Sequence, residues 1–236
     1  MSAAKTRVIR HFSGRRHGAG NALLAALGLV ATCVMVAPTT AHAWNLHADL
    51  NGQNNQFVNT SAGAVSSDMA ATGTYLRLAV APDQALAIEA SWHTFNTNAY
   101  TLGVLYAESD VDVLTVGASW TLFPLPWLRP FGRVAAGLGH TAVSFQQGET
   151  ATGTALAPAL ALGAGFELLV PPGAIFRGKD FTVGFVLEFG WMHVFNANVD
   201  LTVDRATTPA TEPAIIKAGG LGWSAFTTRF GLVVRI

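Results

Sequence analysis

Eight stretches of this chain alternate apolar and polar side chains with a period of two. In a β-strand successive side chains point to opposite faces, so each stretch has one greasy face and one polar face. The last, 223–236, sets Phe230, Leu232, Val234 and Ile236 against Arg229, Gly231 and Arg235, with only Val233 out of step. It runs to the final residue. A greasy terminal strand on an open sheet edge invites aggregation, whereas a closed barrel needs such a strand to seal against its first one.

The other stretches follow the same rule. Residues 44–52 oppose Trp44, Leu46, Ala48 and Leu50 to Asn45, His47, Asp49 and Asn51; 72–81 oppose Leu76, Leu78 and Val80 to Tyr75, Arg77 and Ala79. Residues 85–94 set Leu86, Ile88, Ala90 and Trp92 against Glu89, Ser91 and His93, and 112–122 set Leu114, Val116, Ala118 and Trp120 against Thr115, Gly117 and Ser119. Residues 129–144, 155–169 and 180–195 continue it, with Arg133, Glu167 and Glu188 on their polar faces. Dyad runs of about ten residues are the signature of transmembrane strands. The expected fold is all-β: an eight-stranded antiparallel up-and-down transmembrane β-barrel over 44–236.

A β-sandwich also alternates, so other features must decide. No lysine falls in any of these stretches; Lys179 and Lys217 lie in the expected connections. The polar faces are mostly Gly, Ala, Ser and Thr with isolated charges, which suits a narrow lumen. Trp44 and Trp120 fall near one end of their strands, Trp92 and Trp191 near the other, as two aromatic girdles would. The connections 53–71, 95–111, 145–154 and 196–222 read as long external loops, and 82–84, 123–128 and 170–179 as short periplasmic turns. The long set carries Asp68, Glu108, Asp110, Glu149, Asp200, Asp204 and Glu212 against Arg205 and Lys217, so an acidic outer rim is expected.

Residues 1–43 read as a secretory signal that is removed. Lys5, Arg7, Arg10, Arg15 and Arg16 form a basic start, Ala22–Val36 is apolar, and Ala41-His42-Ala43 is a small-residue cleavage site. The apolar run is short for a spanning helix. Arg15-Arg16 hints at twin-arginine export, but that route carries folded cargo and a barrel must arrive unfolded. The only cysteine, Cys33, lies in this segment, so 44–236 has no thiol chemistry. All 14 acidic residues follow residue 43, against nine Lys and Arg, a net charge of −5. That balance argues against a nucleic-acid surface.

Inward charges should pair, because buried charges persist only with partners. Arg77 and Glu89 are equidistant from Asp83. Arg133 and Glu167 are symmetric about Thr150, and Glu188 and Arg229 about the middle of the last long connection. Asp49 is left for Arg77 or Arg229. On the lipid face a charge would cost roughly 2–4 kcal/mol at the midplane, which fixes the polar face as the inside.

On these residues the chain resembles the small eight-stranded outer-membrane barrels, the OmpA transmembrane domain and the OmpW family. Leu128-Arg129-Pro130-Phe131-Gly132-Arg133-Val134-Ala135-Ala136-Gly137-Leu138-Gly139 is similar to the fifth strand common in that group. Terminal Ile236 departs from the usual aromatic last residue. The resemblance implies a location in the outer membrane among its lipids, and recognition of Phe230, Leu232, Val234 and Ile236 by the barrel-assembly machinery. A monomer, with no further domain after the barrel, is expected.

The expected function is non-enzymatic: envelope structure, or passive passage of small solutes, hydrophobic ones included. The small lumen residues of strands four to six, among them Gly117, Ser119, Ala135, Gly137, Ala161, Gly163 and Gly165, could leave a tunnel. Against this, eight strands enclose a space barely wider than its own side chains. Ala214-Ile215-Ile216 could line an outer apolar pocket. Two alternatives remain. One is a lipid A-modifying enzyme. His193-Val194-Phe195-Asn196 is similar to the His-x-Ser-Asn stretch of the lipid A deacylase barrels, but Phe195 stands where the serine nucleophile would be. Ser66-Ser67-Asp68 with His93 is the other arrangement of that class. The second alternative is adhesion through acidic loops. His93 faces the lumen by parity and His140 and His193 face outward, so these three cannot share an ion. No metal or cofactor is expected.

Overall fold

The computed structural model describes residues 45–58, 69–82, 85–101, 105–123, 125–147, 149–170, 182–204 and 214–236. Trp44 and the segment 1–43 lie outside them. Eight strands follow in chain order: β1 (Asn45–Phe57), β2 (Ala70–Ala81), β3 (Leu86–Thr101), β4 (Leu105–Thr121), β5 (Leu128–Gln147), β6 (Glu149–Leu169), β7 (Thr182–Asp204) and β8 (Ala214–Arg235). Each pairs antiparallel with the next, and β8 pairs with β1, so the sheet closes into a barrel. Leu46 and Ile236 seal the seam, each N–H donating to the other's carbonyl at 2.9 Å. Closure removes the exposed edge that a terminal strand would otherwise present.

The start of β1 and the end of β8 share one rim with the connections after β2, β4 and β6; we call it the terminal rim. The far rim carries the connections after β1, β3, β5 and β7. Toward it the strands run on well past their expected ends. β1 and β2 have 13 and 12 residues, whereas β5 to β8 have 20, 21, 23 and 22. Much of what reads as long loop is therefore strand. Glu108 and Asp110 belong to β4, Glu149 to β6, Asp200 and Asp204 to β7. Lys217 and Ala214-Ile215-Ile216 belong to β8, so one lysine does lie in a strand. Asp68, Arg205 and Glu212 lie outside the described residues.

The extension escaped the periodicity because the polarity of the two faces exchanges partway up. At the level of Leu50, Ile88, Val116, Leu138, Leu162, Phe189 and Phe230 the outward residues are large, apolar and exposed. Nearer the far rim the outward rows are Thr94, Asn96 and Asn98 on β3, Glu108 and Asp110 on β4, and Asn198, Asp200 and Thr202 on β7. The inward residues there are apolar and buried, including Phe95, Val111, Val113, Val143, Val199 and Leu201. A search for an apolar outer stripe stops at this exchange.

β7 and β8 carry a register break between Val194 and Ala197, where two residues of β7 stand against one of β8. Such a bulge bends the strand locally. Phe195 and Asn196 are both exposed there.

Candidate functional site

The lumen is filled at two levels. Toward the terminal rim lie Asp49, Glu89, Glu167 and Glu188 with Arg77, Arg133, Arg229 and Arg235, all buried. Four carboxylates and four guanidiniums balance within this layer, and half-buried Arg129 stands at its edge opposite Glu167. Arg77 on β2 is its hub. It bonds Asp49 directly across β1, Glu89 on β3 at 3.4 Å, and Glu167 on β6, across the barrel, at 3.2 Å. Arg133 lies 3.1 Å from Glu89 and 3.2 Å from Glu188. Arg229 pairs with Glu188, its direct cross-strand neighbour, and Arg235 with Glu167.

Two expected pairs thus meet, Arg77–Glu89 and Glu188–Arg229, and of the two partners left open for Asp49 it takes Arg77. The expected pair Arg133–Glu167 does not form. Arg133 stands opposite Gly163, and Glu167 opposite Arg129. The hairpin centre falls near residue 148 rather than at Thr150, which moves Glu167 away from Arg133. Similarly, Arg77 stands opposite Ser91 rather than Glu89 and reaches its partner diagonally. In so narrow a barrel the length of an arginine matters more than register. A guanidinium can reach carboxylates on non-adjacent strands at its own level, and most of these bridges do so.

Aromatic and neutral polar groups complete the layer. Tyr75 accepts a hydrogen bond from Arg133 Nη1, and its ring lies under the Arg229 guanidinium at 4.4 Å and the Arg133 guanidinium at 5.2 Å. Arg77 lies over Phe131 at 5.0 Å. Arg229 Nε donates to Gln53 Oε1 at 3.0 Å, and Gln53 Oε1 is 3.0 Å from His93 Nδ1. Ser91 and Thr115 share a 2.7 Å hydroxyl hydrogen bond. Stacked cation–π contacts gain strength when desolvated.

Toward the far rim the filling turns apolar. Phe57, Phe95 and Trp223 form its centre, with ring centroids 5.1 Å apart for Phe57–Trp223 and 5.8 Å for Phe57–Phe95. Val111, Val113, Met192, Val194, Val199 and Leu201 pack around them. Sequence reasoning missed this cluster because Phe57, Phe95 and Leu201 fell in expected loops. Continuing the parity of Asp49, Asn51 and Gln53 along β1 would have found Phe57 on the inside.

The small residues that suggested a tunnel serve as seats. A Cβ at Gly163 would meet Glu188 Oε1 at 2.2 Å and Arg133 Cγ at 3.1 Å, so the bare backbone makes room for the ion pair. Ala135, Ala159 and Ala161 are buried as well. At the terminal mouth a small recess remains, lined by His47, Arg77, Ser119, Phe131, Glu167 and Arg235.

On the outer wall Trp120 is exposed near the terminal rim and Trp92 and Trp191 are half-buried near the polarity exchange. Trp92 Nε1 donates to Asp112 Oδ1 at 3.1 Å. Phe230, Leu232, Val234 and Ile236 point outward along β8. Trp127, absent from the expected girdle, is exposed beside Trp120's end of the barrel. Beyond the exchange, partial burial and then the neighbouring Asp112 raise the Asp110 carboxyl from its ordinary value.

His93 lies inside, and His140 and His193 outside. His193 Nδ1 is 2.6 Å from Ser224 Oγ on β8, with Phe195 edge-on to its ring at 4.5 Å. Among the described residues no carboxylate bonds this pair. Ser66-Ser67-Asp68 lie outside the described residues.

The barrel superposes on a major outer membrane protein from Thermus thermophilus with a TM-score of 0.60 at 12% identity, covering 83% of this chain and 100% of that one. The fold is that of the small outer-membrane β-barrels. Neisserial surface protein A (TM-score 0.42, 11% identity, 82% of this chain and 96% of that one) and the attachment invasion locus protein Ail of Yersinia pestis (0.44, 11%, 82% and 97%) superpose more loosely. No protein-family model matches the chain, and no curated protein matches it in sequence.

Proposed function

We propose that this protein is a non-enzymatic structural barrel of the outer membrane whose lumen does not conduct. The observation that carries the reading is the double filling of the lumen, a network of paired carboxylates and guanidiniums beneath an apolar core. Passage of solutes would have to part both. With the termini on the periplasmic side, the terminal rim faces the periplasm and the long strands of β5 to β8 rise above the lipid. The leader 1–43 is removed on export, the assembly machinery reads β8, and the barrel stands as a monomer. Planar-bilayer recording on protein purified from cells expressing the full chain tests the reading. A silent, heat-modifiable barrel is expected; steady discrete openings would overturn it.

A second reading rests on the wall above the lipid. Glu108, Asp110 and Asp112 share one outward row of β4, with Asn96 and Asn98 beside them on β3. This acidic strip favours binding of a basic partner, weakened by salt over the usual screening range. Binding of a cationic peptide that is insensitive to Asp110→Asn and Glu108→Gln would remove it.

A further inference from the structure

We infer that the β4–β5 turn lies in the periplasmic leaflet of the membrane, covered by acyl chains rather than by water or a periplasmic protein. The inference rests on the orientation proposed above. Leu122, Phe123, Leu125 and Trp127 are 55, 70, 45 and 55% exposed. The stretch from Leu122 to Leu128 contains no charged or hydrogen-bonding side chain except the Trp127 indole. The other two connections of this rim differ in composition: 82–85 includes Asp83 and Gln84, and 170–181 includes Arg177, Lys179 and Asp180.

Hydrocarbon tolerates backbone only where its polar groups are satisfied internally. This turn meets part of that demand. Leu122 N–H donates to Pro130 O at 2.9 Å, and Leu125 N–H reaches Phe123 O at 2.9 Å and Leu128 O at 3.1 Å. Trp127 O accepts from Leu169 N–H at 2.9 Å. Pro124 and Pro126 bring no N–H at all.

The described residues of the turn also carry on the apolar outer wall. Trp120 ends the outward row of β4 and Leu122 follows just beyond the strand; the Trp120 indole lies over Gly132 on β5, where a Cβ would meet it at 2.7 Å. An amphipathic indole such as Trp127 suits the headgroup boundary.

Nitroxide labels read the environment directly. Phe123→Cys and, as a second position, Leu125→Cys are labelled in a Cys33→Ala chain reconstituted into phospholipid vesicles. Val116→Cys gives the lipid reference and Thr202→Cys the water reference. Both turn labels are expected to collide with oxygen more than with a water-soluble nickel complex, as at Val116. Collision dominated by nickel, as at Thr202, would overturn the inference. Protection from both reagents would point to a protein cover and overturn it equally. Conductance of the same samples tests the closed lumen separately, so either idea can fail alone.

Discussion

Along β4, Thr115, Gly117 and Ser119 face the lumen while Leu114, Val116 and Trp120 face outward; a few residues farther on, Val111 and Val113 face inward while Asp110 and Glu108 face outward. The same strand thus obeys opposite rules in its two halves. On the proposed placement hydrocarbon surrounds the barrel in its lipid-level half, so apolar groups are favoured outside and charges are forced inward, where they must find partners. In the far half water surrounds it, and the barrel packs like a soluble β-protein with an apolar interior. The lesson is that the sheet's geometry is constant while the solvent outside decides which face is greasy.

The two halves should fail differently. The largest effect is expected at the hub of the charged layer. Arg77→Met leaves Asp49, Glu89 and Glu167 short of a partner, and losing one member of a buried pair costs about 3–5 kcal/mol. Urea unfolding of the vesicle-embedded barrel should show it, and an unchanged midpoint would mean the network contributes little. Next comes a matched pair on the outer wall. Leu232→Arg, in the lipid half, should cost about 2–4 kcal/mol, whereas Thr202→Arg, in the far half, should stay within about 0.5 kcal/mol. Equal costs would erase the proposed boundary between the halves.

A smaller loss is expected from Gly163→Val. Its side chain invades the Glu188–Arg133 contact, and overpacking of this kind costs about 1–3 kcal/mol. The smallest effect belongs to Asp110→Asn. A carboxyl whose folded-state proton affinity is raised makes ionisation unfavourable to folding. That penalty is absent well below the ordinary aspartate range of about pH 4. It appears as pH rises through that range and is complete above the raised folded value. The variant should therefore be slightly more stable than the parent at neutral pH and no different in acid. A destabilised variant at neutral pH would contradict the sign.

The closed eight-stranded barrel was legible because each lipid-level strand carries a clean dyad pattern, from Leu86-Ile88 to Phe230-Leu232. Which charges point inward followed from the same parity. Their partners followed only in part. Glu188–Arg229 is a cross-strand pair that register arithmetic reaches, whereas Asp49, left open between two arginines, pairs with its cross-strand neighbour Arg77. Arg133 instead bridges Glu89 and Glu188 across non-adjacent strands, which no count along the chain reveals. The far half was hidden for a different reason. Phe57, Phe95 and Val199 are apolar at inward positions, so a rule tuned to an apolar exterior reads the strands as ending. The glycines and alanines of β5 and β6 misled most directly. They suggested empty space, and Gly163 in fact makes room for Glu188.

The most direct test of the exchange of faces is lipid-phase photolabelling. A membrane-partitioned carbene precursor, activated in outer-membrane vesicles, marks every side chain in contact with acyl chains, and peptide mapping of β7 and β8 locates the marks. Modification is expected at Phe185, Phe189, Phe226, Phe230 and Leu232, and none at Asn198, Asp200 or Thr202. Modification running the full length of β7, or absent from Phe189 and Phe230, would contradict it.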